Sequence, residues 1–267
     1  MRDNGGGKGH APAMAENDDG MLIWDVASAT DRGRVRRRNE DAILVRPERR
    51  LYAVADGMGG HAAGNVASAL AIATLESAIP RKPSPRIAAT TLARRLSDAF
   101  AAANDVIMQR SASRRAEAGM GTTLTALAPL ASRRACVIAH IGDSRAYRLR
   151  GSDLQQLTVD HTWVQQQVEA GALAADEARV HPWSSILTRV LGMEQPGAAD
   201  IIVADAAPRD VFLLCSDGLT GMVSDVDIAA ILGGPASVTD ICTGLVTAAN
   251  ANGGRDNISV VVLRARA

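Results

Sequence analysis

Four aspartates in this chain stand where an apolar run gives way to glycine, serine or asparagine: Asp56 in "VADGMGG", Asp143 in "IGDSR", Asp217 in "CSDGLT" and Asp256 in "GRDNIS". A fifth acidic site, Glu40 and Asp41 in "RRRNEDA", follows a run of arginines. Taken singly, each aspartate reads as an ordinary turn residue, and Asp143 in particular as a turn cap paired with Arg145. As a set they fit one edge where several strands finish together. Carboxylates gathered there repel one another and bind protons more tightly unless a cation neutralises them. Donor sets made only of oxygen suit hard ions such as Mg²⁺ or Mn²⁺, and a following glycine lets a backbone carbonyl come close to such an ion.

The elements that must position these groups are legible as alternating runs. "MLIWDVASATD" predicts a first strand, and "AILVRPERRLYAVADG" predicts a hairpin around a proline-containing turn. Small and apolar residues at helical spacing in "HAAGNVASALAIATLESAI" predict a helix that ends at the break "PRKPSP". A second, longer helix follows, with Ile87, Leu92, Leu96, Phe100, Val106 and Ile107 on one side, and the two are expected to pack as a pair. Strands return in "GTTLTALAPL", "RACVIAHIGD" and "RAYRLRG"; their short connections predict antiparallel meanders. A helix is expected from Thr162 to about Ala170, an irregular segment over 171–193, then "DIIVADA", "VFLLCSDG", two helices near Asp225–Leu232 and Ser237–Asn250, and a closing strand "NISVVVLRA". Such grouping predicts an α+β fold with antiparallel sheets, not a doubly wound one.

Composition narrows the rest. The 267 residues carry a formal net charge of zero, which argues against a general nucleic-acid binder. The longest basic run, "RGRVRRR" at 32–38, reads as a solvated face. No stretch approaches the roughly 18 apolar residues of a membrane span. Residues 1–20 lack a hydrophobic leader and read as a disordered tail ahead of a single domain over 21–267. Cys136, Cys215 and Cys242 form no CxxC pair and read as reduced core thiols, which fits a cytoplasmic protein.

Seven segments in order, "VRRRNEDA", "VADGMGGHAAG", "MGTTLTA", "HIGDSRAY", "LTVDHT", "LLCSDGLT" and "GRDNISVVV", resemble the motifs of the metal-dependent serine/threonine protein phosphatases, the type 2C family in its bacterial form. The resemblance runs from about Trp24 to Arg264. It implies a four-layer α/β/β/α sandwich, two central antiparallel sheets flanked by helix pairs. It implies that Asp56 bridges two Mn²⁺ or Mg²⁺ ions, that the Gly57 carbonyl, Asp217 and Asp256 complete the pair, and that Glu40 and Asp41 hold metal-bound waters. Arg36 falls at the phosphate-binding arginine. Asp143, with Asp217 and Ser185, falls at a third metal position. The reaction implied is direct attack on a protein phosphoserine or phosphothreonine by water shared between two ions.

Animal members of the family carry histidine directly after the Asp-Gly; here that place is Met58, so His61 and His161 are the candidate proton donors. The segment 171–193 corresponds to the family's flap. The expected partners are phosphorylated proteins and an opposing Ser/Thr kinase, met by a monomer, with no nucleic acid and no membrane. A metal-binding regulatory module of the same fold, weak in catalysis, is the alternative. A nucleotide-binding loop at "GMGGHAAG" is disfavoured because it lacks the Gly-Lys-Ser/Thr such a loop uses.

Overall fold

The structure, a computed structural model, describes residues 21–59, 63–131 and 133–266. The expected tail at 1–20 and the candidate proton donor His61 lie outside these residues.

Eleven strands and seven helices are described. The strands are β1 (Ile23–Asp31), β2 (Asp41–Arg46), β3 (Leu51–Met58), β4 (Gly121–Thr122), β5 (Leu124–Pro129), β6 (Ala135–Ile141), β7 (Arg145–Arg150), β8 (Asp153–Gln156), β9 (Asp200–Asp205), β10 (Val211–Cys215) and β11 (Ile258–Arg266). The helices are α1 (Gly64–Ala78), α2 (Ala89–Ser113), α3 (Trp163–Glu169), α4 (Ala175–Val180), α5 (Asp217–Thr220), α6 (Asp225–Leu232) and α7 (Val238–Ala251). One sheet has the order β2-β3-β5-β6-β9, with β4 also paired to β3; the other has the order β1-β11-β10-β7-β8. Every named strand pair is antiparallel.

Alternate residues of each central strand feed different layers. Ala53 and Ala55 of β3 join the core shared with α1 and α2, while Tyr52 and Val54 join the core between the sheets. In β10, Leu213 and Cys215 face the core shared with α6 and α7, and Phe212 and Leu214 face the opposite sheet. Strands buried on both faces must be apolar at every position, which is why "LYAVA" and "VFLLC" are unbroken. The four-layer α/β/β/α arrangement follows from these three cores.

The paired helices form for local reasons. In α2 the buried residues Leu92, Leu96, Ala99, Phe100, Ala103 and Ile107 recur at three- and four-residue steps. Ser224 and Ser237 cap α6 and α7 by accepting the N–H of Asp227 and Asp240. The segment 171–193 is less irregular than its sequence suggests, because α4 lies within it. That helix of six residues is too short and too polar to show a period.

Candidate metal centre

Strand registers bring the carboxylates together. Asp41 opens β2 and pairs directly with Asp56 near the end of β3. Cross-strand partners have Cβ atoms about 5 Å apart, so two like charges there oppose folding unless something intervenes. In the other sheet Cys215 ends β10 beside Arg145 of β7 and Val260 of β11. Asp217 and Asp256 therefore leave the sheet at the same end. The link 142–144, which carries Asp143, crosses there from β6 of the first sheet to β7 of the second.

The electrostatics register this convergence. Burial, and then the charges of Asp41, Asp217, Asp143 and Asp256, hold the Asp56 carboxyl well above its ordinary range. Burial followed by the charges of Asp217 and Asp160 does the same to Asp143. Asp217 is also raised, by burial and then by Asp256, although its contact with Asp56 and the charges of Arg36 and Arg145 work the other way. Asp41 is pushed up to about 7, chiefly by burial. Asp56 is thus the hub, facing an aspartate from each of four other segments.

Backbone contacts fix the hub. The Asp56 N–H donates to Thr123 Oγ1 at 2.9 Å, and its carbonyl accepts from the N–H of Thr123 and the hydroxyl of Thr122. Thr123 Oγ1 lies 2.7 Å from Ser144 Oγ, which ties Asp56 to the link bearing Asp143. A Cβ on Gly57 would lie 2.1 Å from the Gly64 carbonyl oxygen and 2.5 Å from that of Glu40, so only glycine lets β3 and α1 meet here. On the other side Asn257 is buried and holds the loop 32–40 at three points: its Oδ1 accepts from the Glu40 N–H at 2.8 Å, and its Nδ2 donates to the carbonyls of Arg32 and Arg38 at 2.9 Å each. Sequence reasoning gave Thr123, Ser144 and Asn257 no role. Their signal was polarity inside segments that otherwise read as buried.

The arginine and the second-row groups are also placed. Arg36 Nη2 donates to Asp256 Oδ2 at 2.6 Å. Burial is the largest single influence and works against the Arg36 charge, but the hydrogen bond to Asp256 and the charges of Asp256, Asp56 and Asp217 together outweigh it and raise its pKa. Glu40 Oε2 would lie 2.7 Å from a Cβ on Gly64, at the start of α1. Asp41 Oδ2 accepts from the Ser216 hydroxyl at 2.8 Å.

The geometry bears on three expectations. Arg145 does not pair with Asp143; its guanidinium forks onto both oxygens of Asp160, at 2.6–3.0 Å. Ser185 stands exposed on the turn 182–185 and makes no hydrogen bond to Asp143 or Asp217. His161 has both ring nitrogens engaged: Nδ1 accepts from the Gly142 N–H at 2.9 Å, and Nε2 lies 2.6 Å from Arg189 Nη1 and 3.1 Å from Asp200 Oδ2. Burial, joined by the charge of Arg189, lowers its pKa.

The donor set fits a hard divalent cation. The oxygens Asp41 Oδ1 and Asp217 Oδ1 are buried with no hydrogen-bond partner, and a cation supplies the partner that a buried carboxylate oxygen otherwise lacks. The side chains are not closed into a cage: among the described residues no three His, Cys, Asp or Glu side chains surround a ready ion position, since Asp256 is turned onto Arg36 and Asp41 onto Ser216. All the candidate ligands are oxygens, which points to Mn²⁺ or Mg²⁺ and away from Zn²⁺.

The family model described as protein phosphatase 2C matches residues 31–256. The serine/threonine phosphatase stp of Listeria welshimeri is 38% identical over 237 residues, covering 88% of this chain and 93% of that protein. The crystal structure of the Mycobacterium tuberculosis serine/threonine phosphatase PstP/Ppp superposes with a TM-score of 0.84 at 39% identity, covering 92% of this chain and all of that one. The catalytic domain of PstP in complex with two manganese ions superposes with a TM-score of 0.82 at 37% identity, over 92% of this chain and all of that one.

Proposed function

Because the chain belongs to the protein phosphatase 2C family, we propose that it removes phosphate from phosphoserine and phosphothreonine of proteins, using two Mn²⁺ or Mg²⁺ ions. The observation that carries this reading is the convergence of four aspartates on Asp56, with unpartnered buried oxygens on Asp41 and Asp217. Asp56, the Gly57 carbonyl, Asp217 and Asp256 would hold the two ions, with Glu40 and Asp41 acting through water. Asp143 would hold a third. When bound, such ions lower the pKa of water and offset charge on a phosphoryl group.

The chain's own residues do the rest. The sandwich fixes the carboxylates on strand ends, so little reorganises as charge develops during the reaction. Arg36 engages Asp256 through one nitrogen, Nη2, and its remaining N–H groups can fork onto two phosphate oxygens. Asp256 thereby orients the arginine toward the phosphate. Cys215 stays a core thiol: burial raises its pKa to about 12, which rules it out as a ready nucleophile.

In this reading the protein acts as a monomer, and residues 21–267 form the catalytic unit. The segment 171–193, next to the site through the Leu191 carbonyl that accepts from the Thr122 N–H, serves as its flap. A Ser/Thr kinase acting on the same proteins is the natural opposing partner. Among the described residues no helix is long and apolar enough to cross a membrane.

The test is turnover of p-nitrophenyl phosphate and of a phosphothreonine peptide with Mn²⁺ or Mg²⁺, against the same reactions in EDTA. Metal-dependent release of phosphate from both is expected. Metal binding without turnover would instead assign the protein to the regulatory alternative.

A further inference from the structure

The loop between β1 and β2 carries five arginines, Arg32, Arg34, Arg36, Arg37 and Arg38, and all five are exposed. Arg255, also exposed, lies on the neighbouring loop next to Asp256. In a chain with zero net charge this is a local concentration of positive charge. Only Arg36 has a carboxylate partner here; among the described residues Arg32, Arg34, Arg37, Arg38 and Arg255 make no salt bridge. Some arginines elsewhere, Arg46, Arg110, Arg145, Arg148, Arg150 and Arg189, are paired with acids; this loop and Arg255 instead gather five unpaired arginines in one place.

The loop that presents these charges is rigidly built. The Arg34 N–H donates to the Gly254 carbonyl at 2.7 Å. Gly33 has φ +77°, and a Cβ on it would lie 2.2 Å from the Asp256 carbonyl oxygen. Asn257 ties down both ends of the loop, at Arg32 and Arg38. The Gly33 N–H donates to Asp31 Oδ1, which also accepts from Asn250 Nδ2. A solvated run of like charges would gain nothing from such fixing, because repulsion alone keeps it extended. Here the fold holds unpaired arginines beside the Arg36–Asp256 pair, at the rim of the carboxylate cluster.

We propose that Arg34, Arg37, Arg38 and Arg255 form a docking surface for acidic residues flanking the scissile phosphoresidue, which makes this protein selective for phosphorylated segments rich in Asp and Glu. The proposal rests on the phosphatase reading above, and it adds the substrate class. Charge complementarity at a rim acts mainly on encounter and is weakened by salt.

The experiment compares two phosphothreonine peptides that differ only in flanks, three Glu or three Gln on each side. For the wild type with Mn²⁺, kcat/KM should favour the Glu peptide by about tenfold at low salt, with the difference in KM and shrinking as salt rises. In the variant Arg34→Gln, Arg37→Gln, Arg38→Gln, Arg255→Gln the two peptides should converge. Its turnover of p-nitrophenyl phosphate and of the Gln peptide should match wild type, which separates failure of this proposal from failure of the phosphatase reading. Should the fourfold variant fail to melt cooperatively, Arg37→Glu with Arg38→Glu gives the same reading from two exposed positions. Equal turnover of the two peptides by the wild type, or an unchanged preference in either variant, would overturn the proposal. So would an absent peptide preference accompanied by arginine-dependent retention on anionic vesicles, which would assign the surface to lipid.

Discussion

Asn257→Ala removes three hydrogen bonds in one step: Glu40 N–H to Oδ1 at 2.8 Å, and Nδ2 to the carbonyls of Arg32 and Arg38 at 2.9 Å. The side chain is only 4% exposed. Leaving a buried backbone group unpaired costs about 1–3 kcal/mol. The Glu40 N–H carries that cost in full. The two carbonyls belong to exposed arginines and can turn toward water, so together they add the equivalent of one ordinary bond, about 1 kcal/mol. The total is about 3 kcal/mol, and a chain of this size loses about 2–4 °C of Tm per kcal/mol, giving a drop of about 6–12 °C. The assay is thermal and urea unfolding in EDTA, so that metal binding does not mask the loss. The same variant should show a raised KM for phosphopeptides, because the loop that it frees carries Arg36. A Tm within a degree or two of wild type, with KM unchanged, would refute the reasoning.

Three further outcomes follow from the same geometry. Without metal, the carboxylates bind protons more tightly folded than unfolded, Asp41 near 7 against its ordinary 3.8, so stability in EDTA should be highest below about pH 4 on this count and fall as pH rises through about 7; excess Mn²⁺ should reverse that slope, and urea titrations between pH 6.5 and 8.5 check both signs. His140, whose pKa burial drives down to about 3 from its ordinary 6.5, is neutral folded but partly protonated unfolded below about pH 7.5, so it adds an opposing rise there and no slope above that. Gly218→Ala would place a Cβ 1.9 Å from the Asn257 carbonyl oxygen, an overpacking cost of about 1–3 kcal/mol that falls between Asp217 and Asp256; Mn²⁺ affinity should weaken in a calorimetric titration. Asp143→Ala should keep the tightest Mn²⁺ sites and lose the weakest, with phosphoprotein turnover much reduced, and an unchanged ion count with full activity would show that Asp143 holds no metal.

Much of this was readable in the sequence, and the reason is physical. The central strands are buried on both faces, so "LYAVA" and "VFLLC" had to be unbroken apolar runs, and each had to end in groups that tolerate water or a cation. The aspartates mark those ends. The paired helices showed because a helix laid on a sheet must repeat its apolar residues at the step seen in α2. What stayed hidden acts across long sequence separations or through the backbone. Asn257 meets Arg32 and Arg38 only after the sandwich closes, and Thr123 holds Asp56 by its main chain. Asp160 precedes His161 in the chain, yet it serves Arg145, and His161 meets Arg189 and Asp200. The helix α4 within 171–193 carries too few turns to leave a periodic trace.

The central claim is that Asp56 is the shared ligand on which metal and hydrolysis both depend. Calorimetric titration of wild type and Asp56→Ala with Mn²⁺, run beside phosphothreonine-peptide hydrolysis, tests it most directly. The wild type should bind at least two ions and turn over. The variant should lose the tight ions and the turnover together, while in EDTA it melts no lower than wild type, since removing the hub relieves repulsion among the remaining carboxylates. Two tight ions, or wild-type turnover, in the variant would contradict the claim.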